Sequence, residues 1–293
     1  MEGYVWQVQD GVPTKLENLP QIKTISTGHK HAMLLDVNNQ VWGMGGNAHG
    51  QLGIKLPIDR NNHFPIKVED IASIESICAS FNHSLLLDVE GRVWGSGSNG
   101  DCRLGMDSST TTPKVIDIDI PIQSLSSGWI HSLFIDVNNT LHTCGGNQTL
   151  QQGVENIVKV EKVTKHATLP EIRLAFGGYY HSLFVDKQDS VWVCGGNSAG
   201  PLGAPSKLNL PLQPVAAFDN IPPIASISSL YHSLFLDVEG DVWACGKNDS
   251  GQLGLGTVDN TIHTPTKIES LPCIKNASNF QNSRYRVKSA RNI

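Results

Sequence analysis

The stretch Tyr231–Gly254, YHSLFLDVEGDVWACGKNDSGQLG, contains two apolar runs that are separated by a short polar segment and followed by a glycine-rich loop. The first run ends at Asp237 and the second begins at Val242-Trp243, with a Glu-Gly pair between them. A short glycine-containing pair between apolar runs is a β-hairpin signal, because glycine accepts the positive φ angle of the turn. The stretch therefore predicts a strand, a tight turn, a second strand and a loop.

The same pattern occurs five times along the chain, which identifies an internal repeat. Each copy has a histidine at the start of the first run, a bulky residue eleven positions later, a glycine three further on and an asparagine two beyond the glycine. A Leu-Gly pair closes four of the five copies. The anchor histidines, spaced by 52, 48, 50 and 51 residues, are His31, His83, His131, His181 and His232.

Each copy also contains strand-like segments outside the hairpin. The hairpin runs are apolar at nearly every position, which is typical of strands buried on both faces. Segments such as Pro65–Val68 and Ile74–Ile77 predict further strands and bring the number to about four per repeat, the usual content of a β-propeller blade.

The HSLFLD run, the Val-Trp pair, the Gly-x-Asn step and the GQLG closure together resemble the regulator-of-chromosome-condensation repeats. This resemblance extends over nearly the whole chain. It implies a β-propeller whose blades have the length of the histidine spacing.

The two chain ends resemble two halves of one further repeat. Gly3–Trp6 matches the second hairpin strand, and residues 274–287 match the first, with Asn282 where a histidine is expected. We therefore predict an all-β, six-bladed β-propeller that forms a single domain over residues 1–293. Its last blade would be split between residues 1–8 and 272–293 and closed by pairing of the N- and C-terminal strands, which would remove exposed sheet edges.

Composition excludes several classes of protein. A net charge of −5 gives no electrostatic basis for general nucleic-acid binding. No apolar run reaches the roughly 18 residues that a transmembrane helix needs. Six cysteines without a disulfide-like spacing predict reduced thiols, and hence a cytoplasmic protein, which we expect to be a monomer.

Motifs with catalytic residue types are explained by the repeat. In the sequence His-Ser-x-x-x-Asp, adjacent side chains of a strand point to opposite faces, so His131 and Ser132 cannot form a hydrolase triad. The GxGxxG match at Gly95–Gly100 lacks the helix that dinucleotide binding requires. We predict no catalytic, cofactor-binding or metal-binding residue. The histidines are expected to tether loop backbone, and the repeated aspartates to support the hairpin turns.

The two residues before each anchor histidine vary most between copies and include several large apolar side chains. Apolar surface of this kind is costly to leave in water, and aromatic residues are enriched at interface hot spots. We predict that the five pairs gather on one loop face and bind a partner; the alternative is that the rings cover the ends of the central channel. The predicted site residues are His29, Lys30, Phe81, Asn82, Trp129, Ile130, Tyr179, Tyr180, Leu230 and Tyr231.

The resemblance implies a class of partner. The repeat family includes an exchange factor for the small GTPase Ran, so the expected function is binding of a Ras-like small GTPase. The only activity that we would expect the chain to promote is guanine-nucleotide exchange. The compactness of the chain is consistent with a bacterial effector that acts in the host-cell cytosol. The alternative function is a non-catalytic scaffold or inhibitor that docks an unrelated protein through the same loop face.

Overall fold

A computed structural model describes residues 5–9, 12–55, 62–205 and 209–274. They fall into two compact units. The first comprises residues up to 100 together with 107–121, and the second comprises 101–106 together with the residues from 122 onward. Both units consist of antiparallel β-sheets, which confirms the all-β prediction.

The first unit contains one two-stranded sheet and two four-stranded sheets. In both four-stranded sheets the strands lie side by side in chain order, so each sheet is a simple meander. The strands are β1 (Trp6–Gln9), β2 (Val12–Lys15), β3 (Ile22–Thr27), β4 (His31–Asp36), β5 (Val41–Gly45), β6 (Asn62–Lys67), β7 (Ile74–Ala79), β8 (His83–Asp88), β9 (Val93–Gly97) and β10 (Thr110–Val115).

The second unit contains three further four-stranded meanders and one turn of 3₁₀ helix at Ala216–Phe218. In the described part of the chain, no helix is both long enough and apolar enough to cross a bilayer. The strands are β11 (Ile122–Ser127), β12 (His131–Asp136), β13 (Leu141–Gly146), β14 (Lys159–Lys165), β15 (Ile172–Gly177), β16 (His181–Asp186), β17 (Val191–Gly195), β18 (Leu210–Pro214), β19 (Ile224–Ser229), β20 (His232–Asp237), β21 (Val242–Lys247) and β22 (Thr261–Lys267).

An aspartate at the end of the second strand holds each hairpin turn. Asp186 Oδ1 accepts hydrogen bonds from the backbone N–H groups of Gln188 and Ser190, both at 2.9 Å. Asp186 Oδ2 accepts the indole Nε1–H of Trp192 at 2.8 Å, so the turn is joined to the strand that follows it. This confirms the predicted turn role. The same arrangement surrounds Asp36, Asp88, Asp136 and Asp237, with His142 in place of tryptophan at Asp136.

The second strand of a sheet contributes to the cores on both of its faces. All six residues of β16 are buried. Leu183 packs in a cluster with Ile227 and Phe235 of the following sheet, whereas Phe184 packs with Leu133 of the preceding sheet. Adjacent side chains of one strand therefore fill two different sheet interfaces, as the nearly continuous apolar runs predicted.

The Leu-Gly pair that closes a repeat receives the outer strand of the next sheet. Gly53 has a φ of +68°, and a Cβ atom there would lie 2.8 Å from Cγ of Pro113 in β10. Gly203 has the same relation to Pro265 of β22, at 3.0 Å. Only glycine combines this φ angle with so close a contact, which explains why the pair recurs.

The predicted number of six blades is wrong, because the described residues contain five four-stranded sheets. β1 pairs with β2, in a register that runs from Trp6 opposite Lys15 to Gln9 opposite Val12. Only two residues separate the paired Gln9 and Val12, and the sequence there, Asp-Gly, is a strong hairpin signal that the prediction overlooked. Residues 282–288, the predicted partner of the N-terminal strand, lie outside the described residues.

The N-terminal hairpin is attached to the first four-stranded sheet. The Leu16 N–H donates to the Val5 carbonyl at 2.9 Å. Both side chains are buried in one apolar cluster with Leu34 and Met44 of that sheet. Val5 and Leu16 therefore extend the core of the first unit, and the two-stranded sheet does not form a four-stranded blade of its own.

Candidate protein-binding face

The predicted site residues lie in the loops that join the first two strands of each sheet. In the fourth repeat, the Gly178 N–H donates to the His181 carbonyl at 2.8 Å, which places Tyr179 and Tyr180 at the tip of a closed turn. Equivalent bonds of 2.9 to 3.0 Å join Gly28 to His31, Ser80 to His83 and Gly128 to His131.

The loop of the fifth repeat is one residue shorter. There the Leu230 N–H donates to the carbonyl of His232, two residues on, at 3.0 Å. Leu230 thus takes the position that Gly178 has in the fourth repeat, and Tyr231 takes the position of Tyr179. The prediction aligned the loop residues of the repeats by counting back from the histidine, and in this copy that alignment is wrong by one residue.

Backbone hydrogen bonds connect neighbouring loops within each unit. In the second unit the Trp129 N–H donates to the Gly178 carbonyl, and the Tyr179 N–H donates to the Leu230 carbonyl, both at 3.1 Å. In the first unit the His29 N–H donates to the Ser80 carbonyl, also at 3.1 Å. These bonds hold the first side chain of one loop beside the first side chain of the next.

As a result, four rings in the second unit form one aromatic cluster, which consists of Trp129, Tyr179, Tyr180 and Tyr231. Tyr179 stacks on Trp129 with 3.8 Å between ring centroids and lies 4.5 Å from Tyr231 on its other side. Tyr180 meets Tyr179 edge-on at 4.6 Å and lies 4.9 Å from Trp129. Contacts of this kind stabilise the side chains beyond the area that they bury.

The first unit carries a smaller group of rings. His29 stacks on Phe81, with 4.3 Å between centroids and an interplanar angle of 21°. Lys30 and Asn82 follow these rings in their loops. That all five pairs gather on one loop face and bind a partner stays a prediction.

Exposure separates the residues that a partner can reach from those that support them. Tyr231 is 44% exposed, whereas Trp129, Tyr179 and Tyr180 are half-buried. Ile130 is buried, and its Cδ1 packs against Gly146, where an added Cβ would lie only 2.6 Å away. Ile130 therefore supports the loop from below. Of the remaining predicted residues, His29 and Lys30 are exposed, and Phe81, Asn82 and Leu230 are half-buried.

The hydroxyl groups of Tyr179 and Tyr180 stay neutral at physiological pH. Burial raises the pKa of Tyr179, and the nearby hydroxyl groups of Tyr231 and Tyr180 raise it further. Burial also raises the pKa of Tyr180, with smaller contributions from Tyr231 and the Asp101 carboxylate. Tyr179 and Tyr180 therefore present apolar rings together with neutral O–H groups that can donate hydrogen bonds.

Two residues next to the cluster were not predicted. Arg103 donates from Nη1 to the Trp129 carbonyl at 3.3 Å and forms an ion pair with Asp101. Burial lowers the pKa of Arg103, and Asp101 opposes this shift. A signal was present in the sequence, because Arg103 stands at a repeat position that glutamine occupies at residues 51, 151 and 252.

Beneath the loops, His31 and His131 each contact the serine that follows the anchor histidine of the next repeat. His131 Nε2 lies 2.9 Å from Ser182 Oγ, which donates to the Gln151 carbonyl at 2.6 Å. Because the hydroxyl proton goes to this carbonyl, His131 must be the donor to the serine oxygen. Serine, and not histidine as we expected, therefore tethers the loop backbone.

The direction of this hydrogen bond, from His131 to Ser182, also excludes an activated serine nucleophile. Burial, and to a smaller extent the charge of Arg103, lower the pKa of His131 to about 3. The imidazole thus stays neutral and donates its proton to Ser182, whereas a general base would accept one. The His31–Ser84 pair, at 2.8 Å, repeats the arrangement in the first unit.

Comparison with curated proteins gives partial matches. A segment of 110 residues, 36% of the chain, is 29% identical to the ultraviolet-B receptor UVR8 of Arabidopsis thaliana and covers 25% of that protein. A segment of 128 residues, 40% of the chain, is 30% identical to the RCC1-like G exchanging factor-like protein of Mus musculus and covers 28% of it. The chain thus matches about a quarter of the length of each relative.

Comparison with solved structures shows a shared fold. Yeast RCC1 (Prp20), solved bound to Kap60, superposes with a TM-score of 0.79 at 23% identity, over 90% of this chain and 68% of that one. A second structure, Prp20p from Saccharomyces cerevisiae, was reported with its binding properties to Gsp1p and histones. It gives a TM-score of 0.67 at 20% identity, over 88% of this chain and 80% of that one.

The sequence model of the RCC1-like domain matches residues 4–287, nearly the whole chain. This match confirms the resemblance that the HSLFLD, Val-Trp and Gly-x-Asn motifs indicated. With its meander sheets and its interlocked repeats, the chain belongs to the RCC1-like domain family of β-propellers.

Proposed function

We propose that this chain binds a Ras-like small GTPase, of which Ran is the precedent in the family, through the loop end that carries the aromatic cluster. The observation on which this depends is the cluster itself: four contacting rings of Trp and Tyr, with Tyr231 exposed to 44%. Trp and Tyr are the residues most enriched at protein interface hot spots.

The rigidity of these loops supports a binding role. The bonds from Trp129 to Gly178 and from Tyr179 to Leu230 fix the backbone, and ring stacking fixes the side chains. Little conformational entropy would be lost when a partner binds, because the residues are already ordered. The charged side chains around the cluster form ion pairs with one another: Arg103 pairs with Asp101, and Lys247 Nζ lies 3.1 Å from Asp249 Oδ2.

The relatives suggest the class of partner. One is named an RCC1-like G exchanging factor-like protein, and the structure of the yeast protein was reported with its binding properties to Gsp1p. Promotion of guanine-nucleotide exchange by this chain, and action in the cytoplasm, are the finer parts of the proposal. Both rest on the relatives and not on a geometric feature of the site.

The test is a binding titration against a panel of purified small GTPases that includes Ran, together with release of a fluorescent nucleotide. Trp129→Ala and Tyr231→Ala should each raise the Kd about tenfold, as expected for hot-spot rings. Val238→Ala is the matched control, because Val238 is 62% exposed and adjoins the opposite end of β20 from Tyr231.

The outcomes separate the two functions. Tight binding with faster nucleotide release supports an exchange factor, and tight binding without it supports a GTPase-binding protein that does not promote exchange. If no member of the panel binds the wild-type chain, the proposal fails. If the ring variants have a lower melting temperature and an unchanged Kd, the rings stabilise the fold and do not form the binding site.

A further inference from the structure

Two neighbouring apolar side chains are exposed in the loop before β14. Ile157 is 46% exposed and Val158 is 68% exposed. Neither residue belongs to the pairs that precede the histidines, and no core cluster of the described residues includes them. Adjacent exposed apolar side chains form an apolar patch, and such patches mark interaction sites more often than single exposed residues do.

The repeat itself does not require apolar residues here. The residue directly before the outer strand is Ser109 in the second copy, Asn209 in the fourth and Asn260 in the fifth, but Val158 in the third. Ile157 likewise stands where the second and fifth copies have Ser108 and Asp259. A departure from the repeat at an exposed position indicates contact with a partner, since repeats retain scaffold residues and vary binding residues.

The loop displays this pair on a fixed backbone. The Asn147 N–H donates to the Val158 carbonyl at 2.8 Å, and the Asn147 side-chain amide donates to the Ile157 carbonyl at 2.7 Å. Asn147 is itself buried. Both side chains are therefore held in place before any partner arrives, as in a pre-organised interface.

The pair lies at the same end of its sheet as the Trp129 loop. His131 at the start of β12 is opposite Gly145, and Gly146 is opposite Lys159 at the start of β14. The Gly146 N–H also donates to the Ile130 carbonyl, next to Trp129, at 2.7 Å. Two strand spacings of about 4.8 Å separate β12 from β14, so the loops that precede these two strands are roughly 10 Å apart where they meet the sheet.

We infer that Ile157 and Val158 form a second anchor of the same interface, and that the partner is a folded protein domain that covers both this pair and the aromatic cluster. The inference rests on the proposed function and names the extent of its interface. One inserted side chain cannot contact groups this far apart, whereas the surface of a folded GTPase can. The pair thus widens the footprint from the inner loops to the outer strand of the third sheet.

The test replaces both residues by those of other copies, Ile157→Ser with Val158→Asn, so that the backbone hydrogen bonds are retained. The probe is the purified Ran-type GTPase, immobilised for a titration with the full chain. The Kd should rise about tenfold for the double variant. The control is Val137→Asn, because Val137 is 51% exposed in the hairpin turn at the opposite end of the same sheet, and its Kd should not change.

The results distinguish this inference from the function on which it rests. If Trp129→Ala weakens binding and the double variant binds like the wild type, the second anchor is wrong and the GTPase proposal stands. If the wild-type chain does not bind, both are wrong. Melting temperatures are measured in parallel, and the single variant Val158→Asn replaces the double variant if the latter melts early.

Discussion

His142 Nε2 lies 2.9 Å from Asp136 Oδ2, the position from which a tryptophan indole contacts the equivalent aspartate in the other four hairpins. The third repeat therefore changes the ring and retains the hydrogen bond. Burial opposes ionisation of Asp136, but hydrogen bonds from His142, Thr140 and Asn138 outweigh it and lower the pKa of the carboxyl group.

Replacement of Asp136 by alanine should destabilise the chain in a pH-dependent way. Loss of an acceptor of three hydrogen bonds should lower the free energy of unfolding by about 3 kcal/mol at pH 7. Because the pKa of Asp136 is lower in the folded state, its contribution is present above the ordinary value of about 4 and is lost as the pH falls through the folded value. Urea unfolding should show that the difference in stability from wild type is constant near neutral pH and shrinks as the pH falls below the ordinary value of about 4. A difference that is independent of pH contradicts this assignment.

Replacement of His142 should show that the hydrogen bond, more than the ring, holds this turn. His142→Trp keeps an N–H donor and should preserve or raise the melting temperature. His142→Phe fills similar space without a donor and should lower the free energy of unfolding by about 1 to 2 kcal/mol. The comparison is made by thermal and urea unfolding. Equal stability of the two variants is the contrary result.

Two adjacent glycines provide a matched test of backbone geometry. Gly195 has a φ of +105°, and a Cβ there would lie 2.5 Å from the Tyr180 carbonyl oxygen. Gly195→Ala should therefore cost more than about 2 kcal/mol of stability and displace the Tyr180 loop. At Gly196 the nearest atom to such a Cβ is 3.4 Å away, so Gly196→Ala should be tolerated. A mild effect at Gly195 contradicts the close approach of the two loops.

The link from histidine to serine should be worth more than one hydrogen bond. Ser182→Ala removes the tether to the Gln151 carbonyl and leaves a buried N–H of His131 without its acceptor. The free energy of unfolding should fall by about 2 to 4 kcal/mol. Ser198→Ala, at an exposed position of the same repeat, is the control and should change stability by less than about 0.5 kcal/mol. A small effect at Ser182 contradicts the tether.

The repeated features could be predicted because the same residue pattern occurs in five copies. Asp186 and its turn, the burial of both faces of β16 and the loop position of Tyr179 all follow from local pattern. The direction of the bond between His131 and Ser182 did not follow, since it joins two sheets. Local periodicity carries no information about such contacts between repeats.

The remaining errors come from places where a copy is incomplete or altered. The N-terminal strand was assigned to a split blade by analogy, although Asp10-Gly11 favours a local hairpin. Tyr231 was aligned by its distance from His232, and a loop one residue shorter moves it to the stacking position. The contact between Arg103 and Trp129 depends on how two loops fold together, which residue spacing cannot show.

Hydroxyl-radical footprinting of the full chain, with and without a saturating GTPase that it binds, tests most directly whether the loop end with the aromatic cluster is the binding face. Binding should protect Trp129, Tyr231 and Val158 and leave Val137 and Val238, at the hairpin-turn ends of their sheets, as reactive as before. Protection of Val137 and Val238 with no change at Trp129 and Tyr231 would place the partner at the opposite end and contradict the account.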